Sequence, residues 1–307
     1  MAKIPFKDVK VLVTGATGFI GRHLINALLK EGANVSIICR KNTELDQNVN
    51  AYTGDLTNLD FVHKVVKEIL PQKIFHLAAL VNPSRNMDLL EEILKVNFYG
   101  TVNLLTSLKK IDYDSFVFSS TAEVYGDNDI PFQENMPLKP LSPYSLSKSS
   151  AEMFCNMLSK SYGYPIKTLR LSLAYGPGQK ADRFIPQLVT TLLKNKQFMM
   201  TKGEQKRDFI YVEDVIKALI KTSLNRKAKG ETINICSGKQ YPIKEIANKV
   251  SDMLHAKNLI KKNLIYRTNE QWEYCGDITK AKKILNWEPS TDIDNGLKKT
   301  IKWYKNN

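Results

Sequence analysis

A short apolar run followed by three evenly spaced glycines limits the possible folds of this chain more than any other stretch. The run covers residues 9–13, and the glycines follow within GATGFIG at 15–21. Glycine lets the backbone turn tightly and approach a ligand closely, and the next helix offers unpaired N–H groups to a pyrophosphate. The spacing is G-x-x-G-x-x-G, which alone also fits an ordinary glycine-rich turn. The order of strand, loop and helix favours a dinucleotide-binding unit.

Strand-like and helix-like segments alternate through the first half of the chain. Apolar runs predict strands at 35–39, 50–53, 116–120 and 166–173, and a strand with its exit loop at 74–80. Apolar periodicity predicts helices at 19–30, 58–70, 89–110 and 143–162. Strands that alternate with helices imply right-handed crossovers and a parallel, doubly wound sheet. We therefore predict an α/β chain with a Rossmann-type sheet and a smaller C-terminal α/β substrate domain.

The alternation becomes irregular after Tyr175, where the sequence Gly-Pro-Gly interrupts it. We predict a dinucleotide-binding domain over residues 1–171, to which 209–238 and about 276–286 return. Residues 172–307 would then form mainly the substrate-binding domain.

The formal net charge of +14 is the one unusual bulk property of the chain. A positive field attracts polyanions, but the lysines are scattered and lack the arginine–aromatic interleaving of an RNA-binding surface. A substrate that carries a diphosphate would use the same field. We therefore expect no specific nucleic-acid partner.

Composition also limits the compartment and the chemistry. No apolar run approaches the roughly 18 residues of a membrane span, and the N-terminus resembles no signal peptide. The four cysteines are far apart and form no C-x-x-C pair. We expect free thiols, no metal site, no membrane association and a cytoplasmic location.

The candidate chemistry centres on Tyr144 and Lys148, which are four residues apart near the start of a predicted helix and so share a face. A phenol with a pKa of about 10 is a poor base at neutral pH, but a nearby ammonium stabilises the phenolate and lowers that pKa. Tyr144 could then exchange a proton with a sugar hydroxyl or carbonyl. Thr121, at the end of a predicted strand, can offer a hydroxyl to the same oxygen. By itself, Y-x-x-x-K also fits an ordinary surface pair.

Nine motifs spread over the whole chain carry a resemblance to a known family. They are GATGFIG at 15–21, GDL at 54–56, HLAA at 76–79, Asn97, FSSTAEVYG at 118–126, Tyr144 to Lys148, YGPG at 175–178, RDFIYVED at 207–214 and NWEP at 286–289. Together they resemble the extended short-chain dehydrogenase/reductase family, the NAD(P)-dependent epimerases, dehydratases and reductases of nucleotide sugars.

The resemblance implies a role for each motif. Tyr144 would be the acid/base, Lys148 would hold the nicotinamide ribose, Thr121 would bind the reacting oxygen and Asn97 would assist a proton-relay water. Arg207 and Arg267 would hold the substrate diphosphate, a task suited to a forked guanidinium. The remaining cofactor-binding residues would be Gly15, Thr17, Gly18, Phe19, Ile20, Gly21, Asp55, Leu56, Leu77, Ala78 and Ala79.

The cofactor preference depends on the end of the second strand. NAD-preferring relatives place an acidic residue there, whereas this chain has Cys39, Arg40 and Lys41. A carboxylate repels a 2′-phosphate and an arginine attracts it, so we predict a preference for NADP(H), with NAD(H) as the alternative. Arg40 could also begin a solvated loop or stack on the adenine.

The type of reaction depends on the loop after the fifth strand. Glu123 resembles the C5 base of 4,6-dehydratases, but these commonly have an acid where this chain has Ala122, and a structural role for Glu123 remains open. We predict reduction of a 4-keto-6-deoxy nucleotide sugar by NADPH. The alternatives are a 4-epimerase, a 4,6-dehydratase and a non-catalytic RNA-binding module, the last disfavoured by the retained Tyr144–Lys148 pair.

Two further expectations complete the prediction. His76 lies in an apolar run and is expected to be a buried group bonded to the backbone, not a catalyst. The resemblance also implies a homodimer that packs through the helices near 89–110 and 144–162.

Overall fold

The computed structural model describes residues 6–41, 48–82, 84–266 and 270–307. Within them the chain folds into two compact units. The first comprises residues up to Gly126, Pro137–Arg170 and Ile216–Ile233, and the second comprises Asp127–Met136, Leu171–Val215 and residues from Asn234 onward. Residues 216–233 lie within the segment predicted to return to the first part, whereas 276–286 belong to the second unit. Which unit binds cofactor and which binds substrate stays a prediction.

The strands are short, as expected for a doubly wound sheet. They are β1 (Lys10–Thr14), β2 (Asn34–Cys39), β3 (Val49–Thr53), β4 (Lys73–His76), β5 (Ser115–Thr121), β6 (Ile166–Leu171), β7 (Leu173–Tyr175), β8 (Phe198–Met199), β9 (Lys206–Tyr211), β10 (Thr232–Ile235), β11 (Gln240–Pro242) and β12 (Ile260–Lys261).

The helices that connect and cover them follow the apolar periodicity. They are α1 (Phe19–Lys30), α2 (Leu59–Ile69), α3 (Leu90–Leu94), α4 (Gly100–Ser107), α5 (Pro143–Tyr162), α6 (Phe184–Leu193), α7 (Val212–Leu224), α8 (Ile243–Met253), α9 (Thr279–Leu285) and α10 (Ile293–Asn306). Short 3₁₀ turns cover Met87–Leu89, Ala122–Tyr125, Arg226–Ala228 and Lys257–Leu259.

The large sheet has the strand order β10-β6-β5-β4-β1-β2-β3 among the described residues. The pairs β1–β2, β1–β4, β2–β3 and β4–β5 are all parallel. The order reverses between β1 and β4, which is the place where open α/β sheets bind ligands beyond the carboxyl ends of their strands. The predicted α/β fold with a Rossmann-type sheet is therefore confirmed.

The second unit has its own small sheets and its own core. β9 pairs with β7 in parallel and with β11 antiparallel, and β8 pairs with β12. Buried side chains of α6, α8 and α10, among them Leu188, Ile246 and Leu297, pack together in this core.

Two predicted elements differ from the observed ones. The helix predicted over 89–110 is α3 and α4 with a π-helical turn, Lys95–Tyr99, between them, and α4 ends at Ser107. A π turn inserts one residue into the helical repeat, a local hydrogen-bonding change that apolar periodicity does not signal. The strand predicted over 166–173 ends at Leu171, and Leu173 begins β7, which pairs with β9 instead of continuing the large sheet.

None of the helices in the described part of the chain is both long and apolar enough to cross a membrane.

Candidate active site

The glycine loop and the segment after β4 lie against each other at the switch point of the sheet. Leu77 donates its N–H to the Thr14 carbonyl over 3.1 Å, and the Ala78 N–H donates to Thr14 Oγ1 over 3.3 Å. Gly15 has φ +72°, and a Cβ there would lie 2.6 Å from the backbone nitrogen of Ala78. Both the dihedral and the close approach therefore require glycine.

The start of α1 is open to an acceptor from outside the chain. Gly18 caps the helix without a side chain, and the Gly18 N–H itself donates to the Gly15 carbonyl over 3.0 Å. A Cβ at Gly21 would collide with the Gly15 carbonyl oxygen, so the loop folds back tightly onto the helix. Uncapped N–H groups at a helix N-terminus are suited to a phosphate.

The ends of β2 and β3 carry the residues predicted to meet the adenosine. The Gly54 N–H donates to the Cys39 carbonyl over 2.9 Å, which joins the two strand ends. Asp55 Oδ1 accepts the Thr57 N–H over 2.8 Å, so this carboxylate orders its own turn. Arg40 lies exposed directly after the buried Cys39.

Helix α5 begins where its sequence predicts, and this fixes Tyr144 and Lys148 in its first two turns. Ser142 accepts the Ser145 N–H, Ser145 Oγ bonds back to the Ser142 N–H, and Pro143 occupies the first helical position. Tyr144 is 7% exposed and Lys148 is 1% exposed. The predicted pair therefore lies largely out of water, which is not the environment of an ordinary surface pair.

Lys148 is a buried ammonium without a hydrogen-bond partner among the described residues. Its Nζ lies 4.3 Å from the centroid of the Phe118 ring on β5. Burial lowers the pKa of Lys148 to about 8. Because buried polar groups are normally hydrogen-bonded, this Nζ is suited to receive a ligand hydroxyl.

The exit of β5 presents the predicted oxygen-binding hydroxyl. Thr121 Oγ1 accepts the Glu123 N–H over 3.2 Å, which leaves the hydroxyl hydrogen available for another acceptor. Glu123 lies half-buried on the 3₁₀ turn that follows, beside the buried Ala122.

Asn97 lies in the π turn and connects it to two other segments of the site. Its amide nitrogen donates to the Leu80 carbonyl and to Ser147 Oγ over 3.1 and 2.9 Å, and its oxygen accepts the Leu80 N–H over 2.7 Å. Ser147 in turn donates to the Tyr144 carbonyl over 2.7 Å. The predicted role of Asn97 in a proton-relay water stays a prediction, and its observed contacts fix the backbone next to Tyr144.

His76 is buried between two hydroxyls, and the expectation that it bonds to the backbone was wrong. Nδ1 lies 2.6 Å from Thr14 Oγ1, and Nε2 lies 2.8 Å from Thr101 Oγ1. Burial, with a smaller effect of the Lys148 charge, lowers the pKa of His76 to about 3. The register of β1 and β4 places Thr14 beside the ring, and helix α4 supplies Thr101, so two side chains take the place of the expected backbone partner.

Of the two arginines predicted to bind the diphosphate, one lies within the described residues, and it belongs to the second unit. Arg207, on β9, donates from Nη2 to Glu270 Oε1 over 2.5 Å and from Nη1 to the Lys206 carbonyl over 2.8 Å. Arg267 lies outside the described residues. The roles of both arginines stay predictions.

The structure also brings three residues to this site that the sequence analysis did not select, Ser120, Glu152 and Arg170. They form a buried cluster in which both Ser120 and Arg170 donate to the Glu152 carboxylate. A signal for Glu152 was present, because Tyr144, Lys148 and Glu152 recur every four residues and so share one helix face.

Comparison with known proteins decides the family. The sequence model described as the NAD dependent epimerase/dehydratase family matches residues 11–236. This chain belongs to that family. Membership confirms the resemblance to the extended short-chain dehydrogenases/reductases and the prediction that the chain is an enzyme.

Similar members of the NAD dependent epimerase/dehydratase family span nearly the same length. The human dTDP-D-glucose 4,6-dehydratase is 31% identical over 97% of this chain and 90% of its own length. The UDP-glucuronate 4-epimerase of Thermodesulfobacterium geofontis is 31% identical over 96% of both chains. A solved UDP-glucuronic acid 4-epimerase from Bacillus cereus, in complex with UDP-glucuronic acid and NAD, has a TM-score of 0.89 and 30% identity over 97% of this chain and 99% of that one.

The residues of the first unit fit a nicotinamide dinucleotide. The glycine loop has no space for added side chains, and the buried Lys148 Nζ has no protein partner within the described part of the chain. A pyrophosphate at α1 and a ribose hydroxyl at Lys148 would satisfy groups that the described residues leave open.

Proposed function

We propose that this enzyme is a 4-epimerase of a nucleotide-diphosphate sugar that works with a retained NAD. The observation that carries the proposal is the buried ammonium of Lys148, one helical turn from Tyr144 and without a hydrogen-bond partner in the described residues. Such a pair is suited to proton transfer at the oxygen of a carbon that gains and loses a hydride. The relatives named above supply the choice of C4 and of a nucleotide sugar.

The cofactor would be held by residues that the first unit already orders. The open start of α1 behind Gly15 and Gly18 would bind the pyrophosphate, and Lys148 would bind the nicotinamide ribose. When bound, the nicotinamide supplies a hydride acceptor and, in its reduced form, a hydride donor.

Tyr144 would move the proton. The Lys148 ammonium, one helical turn away, would stabilise a phenolate on Tyr144. The phenolate takes the proton from the C4 hydroxyl as C4 becomes a carbonyl, and returns it when the hydroxyl forms again on the other face. Thr121 would donate its free hydroxyl hydrogen to the same oxygen and fix its position.

Ala122 argues for epimerisation over 4,6-dehydration. Dehydration needs an acid and a base on either side of C5–C6, and Glu123 could serve as only one of the two. The neighbouring position is a buried methyl group that cannot donate a proton. An epimerase needs neither group.

The second unit would bind the diphosphate of the substrate. Arg207 presents a guanidinium held by Glu270 and by a backbone carbonyl, and the planar fork of a guanidinium is suited to a phosphate oxygen. The positive charge of the whole chain would add a favourable field for a dianionic substrate.

The second candidate function is a 4-keto-sugar reductase that consumes NADPH. The observation that favours it is the exposed Arg40 and Lys41 after Cys39, because two cations at this strand end attract a 2′-phosphate. A reductase consumes NADPH and therefore needs a cofactor that dissociates after each turnover. An epimerase regenerates its cofactor and does not need to release it.

One experiment separates the two candidates. The purified protein is denatured, the released cofactor is identified by mass, and native protein is incubated with UDP-glucuronic acid, UDP-glucose or dTDP-glucose without added cofactor. An epimerase releases NAD and interconverts a sugar nucleotide with its C4 epimer. Protein that releases no dinucleotide and reduces a 4-keto-6-deoxy nucleotide sugar only with stoichiometric NADPH would contradict the epimerase and support the reductase.

Arg40→Asp tests the cofactor preference directly. If Arg40 binds a 2′-phosphate, the substitution lowers the affinity for NADP by about tenfold or more, since it replaces attraction by repulsion. The measurement is calorimetric binding of NAD and NADP to protein freed of cofactor. Wild-type protein that binds NAD more tightly than NADP would reject the NADP(H) preference.

We further propose that the enzyme forms a homodimer through α5. Leu146, Met153 and Met157 recur at helical spacing on this helix and expose 39, 64 and 42% of their surface. A row of exposed apolar side chains is typical of a surface that another chain covers.

A further inference from the structure

Helix α5 carries a third buried polar side chain on the face of Tyr144 and Lys148. Glu152 stands one turn after Lys148, and it is fully buried. Carboxylates are almost never buried to this extent unless they are paired. Its partners therefore show what this position does.

The Glu152 carboxylate joins three elements of the first unit. Ser120 Oγ, on β5, donates to Glu152 Oε2 over 2.7 Å. Arg170, on β6, donates from Nη2 to Oε1 over 2.5 Å and from Nε to both oxygens over 3.1 and 3.2 Å. A guanidinium that makes several hydrogen bonds to one carboxylate fixes the relative orientation of the two side chains as well as the distance between them.

The same cluster extends to the loop that carries the predicted substrate contacts. Ser120 immediately precedes Thr121, and the Arg170 guanidinium lies 4.6 Å from the centroid of the Tyr125 ring. Tyr125 ends the 3₁₀ turn on which Glu123 lies. The cluster thus holds this loop at both its beginning and its end, while its carboxylate belongs to the helix of the acid–base pair.

We propose that Glu152 is a positioning residue of the active site: its buried carboxylate holds the exit of β5 and the Tyr144–Lys148 face of α5 in one fixed arrangement. The inference rests on the proposed roles of Tyr144 and Lys148. Glu152 touches neither substrate nor cofactor in this scheme, and it acts through the residues that do.

Glu152 also supports the charge of Lys148. Two titratable groups on the same helix, Cys155 and Glu152, act on the pKa of this ammonium, and the Lys148 charge in turn acts on the pKa of His76 on β4. Burial raises the pKa of the Cys155 thiol and lowers that of His76 to about 3, so both are neutral near pH 7. Of the two groups that raise the Lys148 pKa, Glu152 is therefore the one that is charged near pH 7, and its carboxylate opposes the lowering of that pKa by burial.

The test must remove the pair without leaving a buried charge behind. Glu152→Gln alone would leave Arg170 unpaired, which is strongly destabilising, whereas apolar replacement of both members of a buried ion pair often keeps the fold. The variant of choice is therefore Glu152→Met with Arg170→Met. Lys167→Met is the matched control, because Lys167 is another buried cation on β6 and its Nζ donates to the Ser223 carbonyl, away from Glu152 in the described contacts.

Two readouts distinguish positioning from stability. The first is the pH titration of the Lys148 Cε resonance in ¹³C-lysine-labelled protein, assigned with Lys148→Arg, and it requires no substrate. The second is kcat and KM for the sugar nucleotide that the wild type converts. We expect the titration midpoint to fall by about one unit, and kcat at pH 8 to fall at least about fivefold with KM within about twofold, because the ammonium fraction falls from about one half to about one tenth.

The control should keep the wild-type midpoint and kcat. A folded double variant with an unchanged Lys148 midpoint and a kcat within about twofold of wild type would overturn the proposal.

If the double variant does not fold, Ser120→Ala decides, since it removes one hydrogen bond to Glu152 and creates no unpaired charge. A lower kcat at unchanged KM supports positioning, and an unchanged kcat rejects it. Because the titration needs no turnover, a different reaction would leave its result valid.

Discussion

At the scale of single residues, the site depends on how burial changes ordinary side chains. Lys148 and His76 are both basic and fully buried, but they differ in their partners. His76 has a hydroxyl on each ring nitrogen, whereas Lys148 Nζ has no hydrogen-bond partner in the described residues. A buried polar group that hydrogen-bonds to other residues of the protein has a structural role. A buried polar group without such a partner is suited to bind a ligand.

Tyr144→Phe tests the proposed acid/base. The substitution removes one hydroxyl, so we expect kcat to fall by about 100-fold to 10,000-fold while KM changes little. Tyr162→Phe, at the exposed end of the same helix, is the control and should leave kcat unchanged. Urea unfolding of both variants checks the fold. A Tyr144→Phe enzyme with near wild-type kcat would assign the proton transfer to another group.

His76 predicts a specific loss of stability in acid. Its folded pKa, about 3, lies below the ordinary histidine pKa of 6.5, so the unfolded chain binds the proton first as the pH falls. The free energy of unfolding therefore decreases below pH 6.5, and by pH 5.0 the loss is about 2 kcal/mol. In His76→Asn, the decrease between pH 7.5 and 5.0 should be smaller by that amount. The exposed His63→Asn should behave like the wild type in urea titrations at both pH values.

At the scale of elements, two local structures build the site: the strand–loop–helix around Gly15 and the capped start of α5. Both were predictable, because their determinants are neighbours in sequence. The Ser142–Pro143–Ser145 cap fixes where α5 begins, and hence which turn holds Tyr144. The helix predicted over 89–110 was only partly right, since a π turn divides it, and Asn97 in that turn bonds to the Leu80 backbone, 17 residues away.

Gly15→Ala and Gly163→Ala separate backbone strain from close approach. Both glycines have nearly the same dihedral, φ +72° and +71°, but a Cβ at Gly163 meets nothing within 4 Å. Gly163→Ala should lower the free energy of unfolding only by the strain of an alanine in the left-handed region, about 1–2 kcal/mol. Gly15→Ala also drives a methyl group into the Leu77–Ala78 backbone and should cost about 1–3 kcal/mol more. The measurement is urea unfolding. Equal decreases in the free energy of unfolding for the two variants would show that the glycine loop moves to accept the methyl group.

At the scale of the whole molecule, the chain divides into a parallel-sheet unit and a second unit with its own core. The division interleaves in sequence, because 216–233 return to the first unit. The sequence analysis predicted that 209–238 and about 276–286 return to the first domain, and this domain assignment stays a prediction. In the structure 276–286 lie within the second unit. Local patterns specify elements, and long-range pairing decides which core each element joins.

The proposed homodimer makes a prediction at this scale. We expect wild-type enzyme to sediment with about twice the mass of one chain. Met153→Glu with Met157→Glu places two charges on the exposed face of α5 and should shift the enzyme to a monomer. Leu224→Glu, an exposed apolar position on α7, is the control and should not change the mass. Sedimentation velocity measures all three, and a monomeric wild type would reject the dimer.

The sequence by itself determined the fold class, the glycine loop and the Tyr144–Lys148 pair, because each depends on residues within a few positions of one another. Apolar periodicity, glycine spacing and helix caps are local signals, and they remain valid wherever the element lies. Only the tertiary structure decided that Lys148 is buried without a hydrogen-bond partner among the described residues. Only it showed that Thr14 and Thr101 hold His76, and that Glu152 pairs with Ser120 and Arg170. These contacts join residues from 18 to 62 positions apart, and such proximity follows from strand order and register, which no local pattern contains.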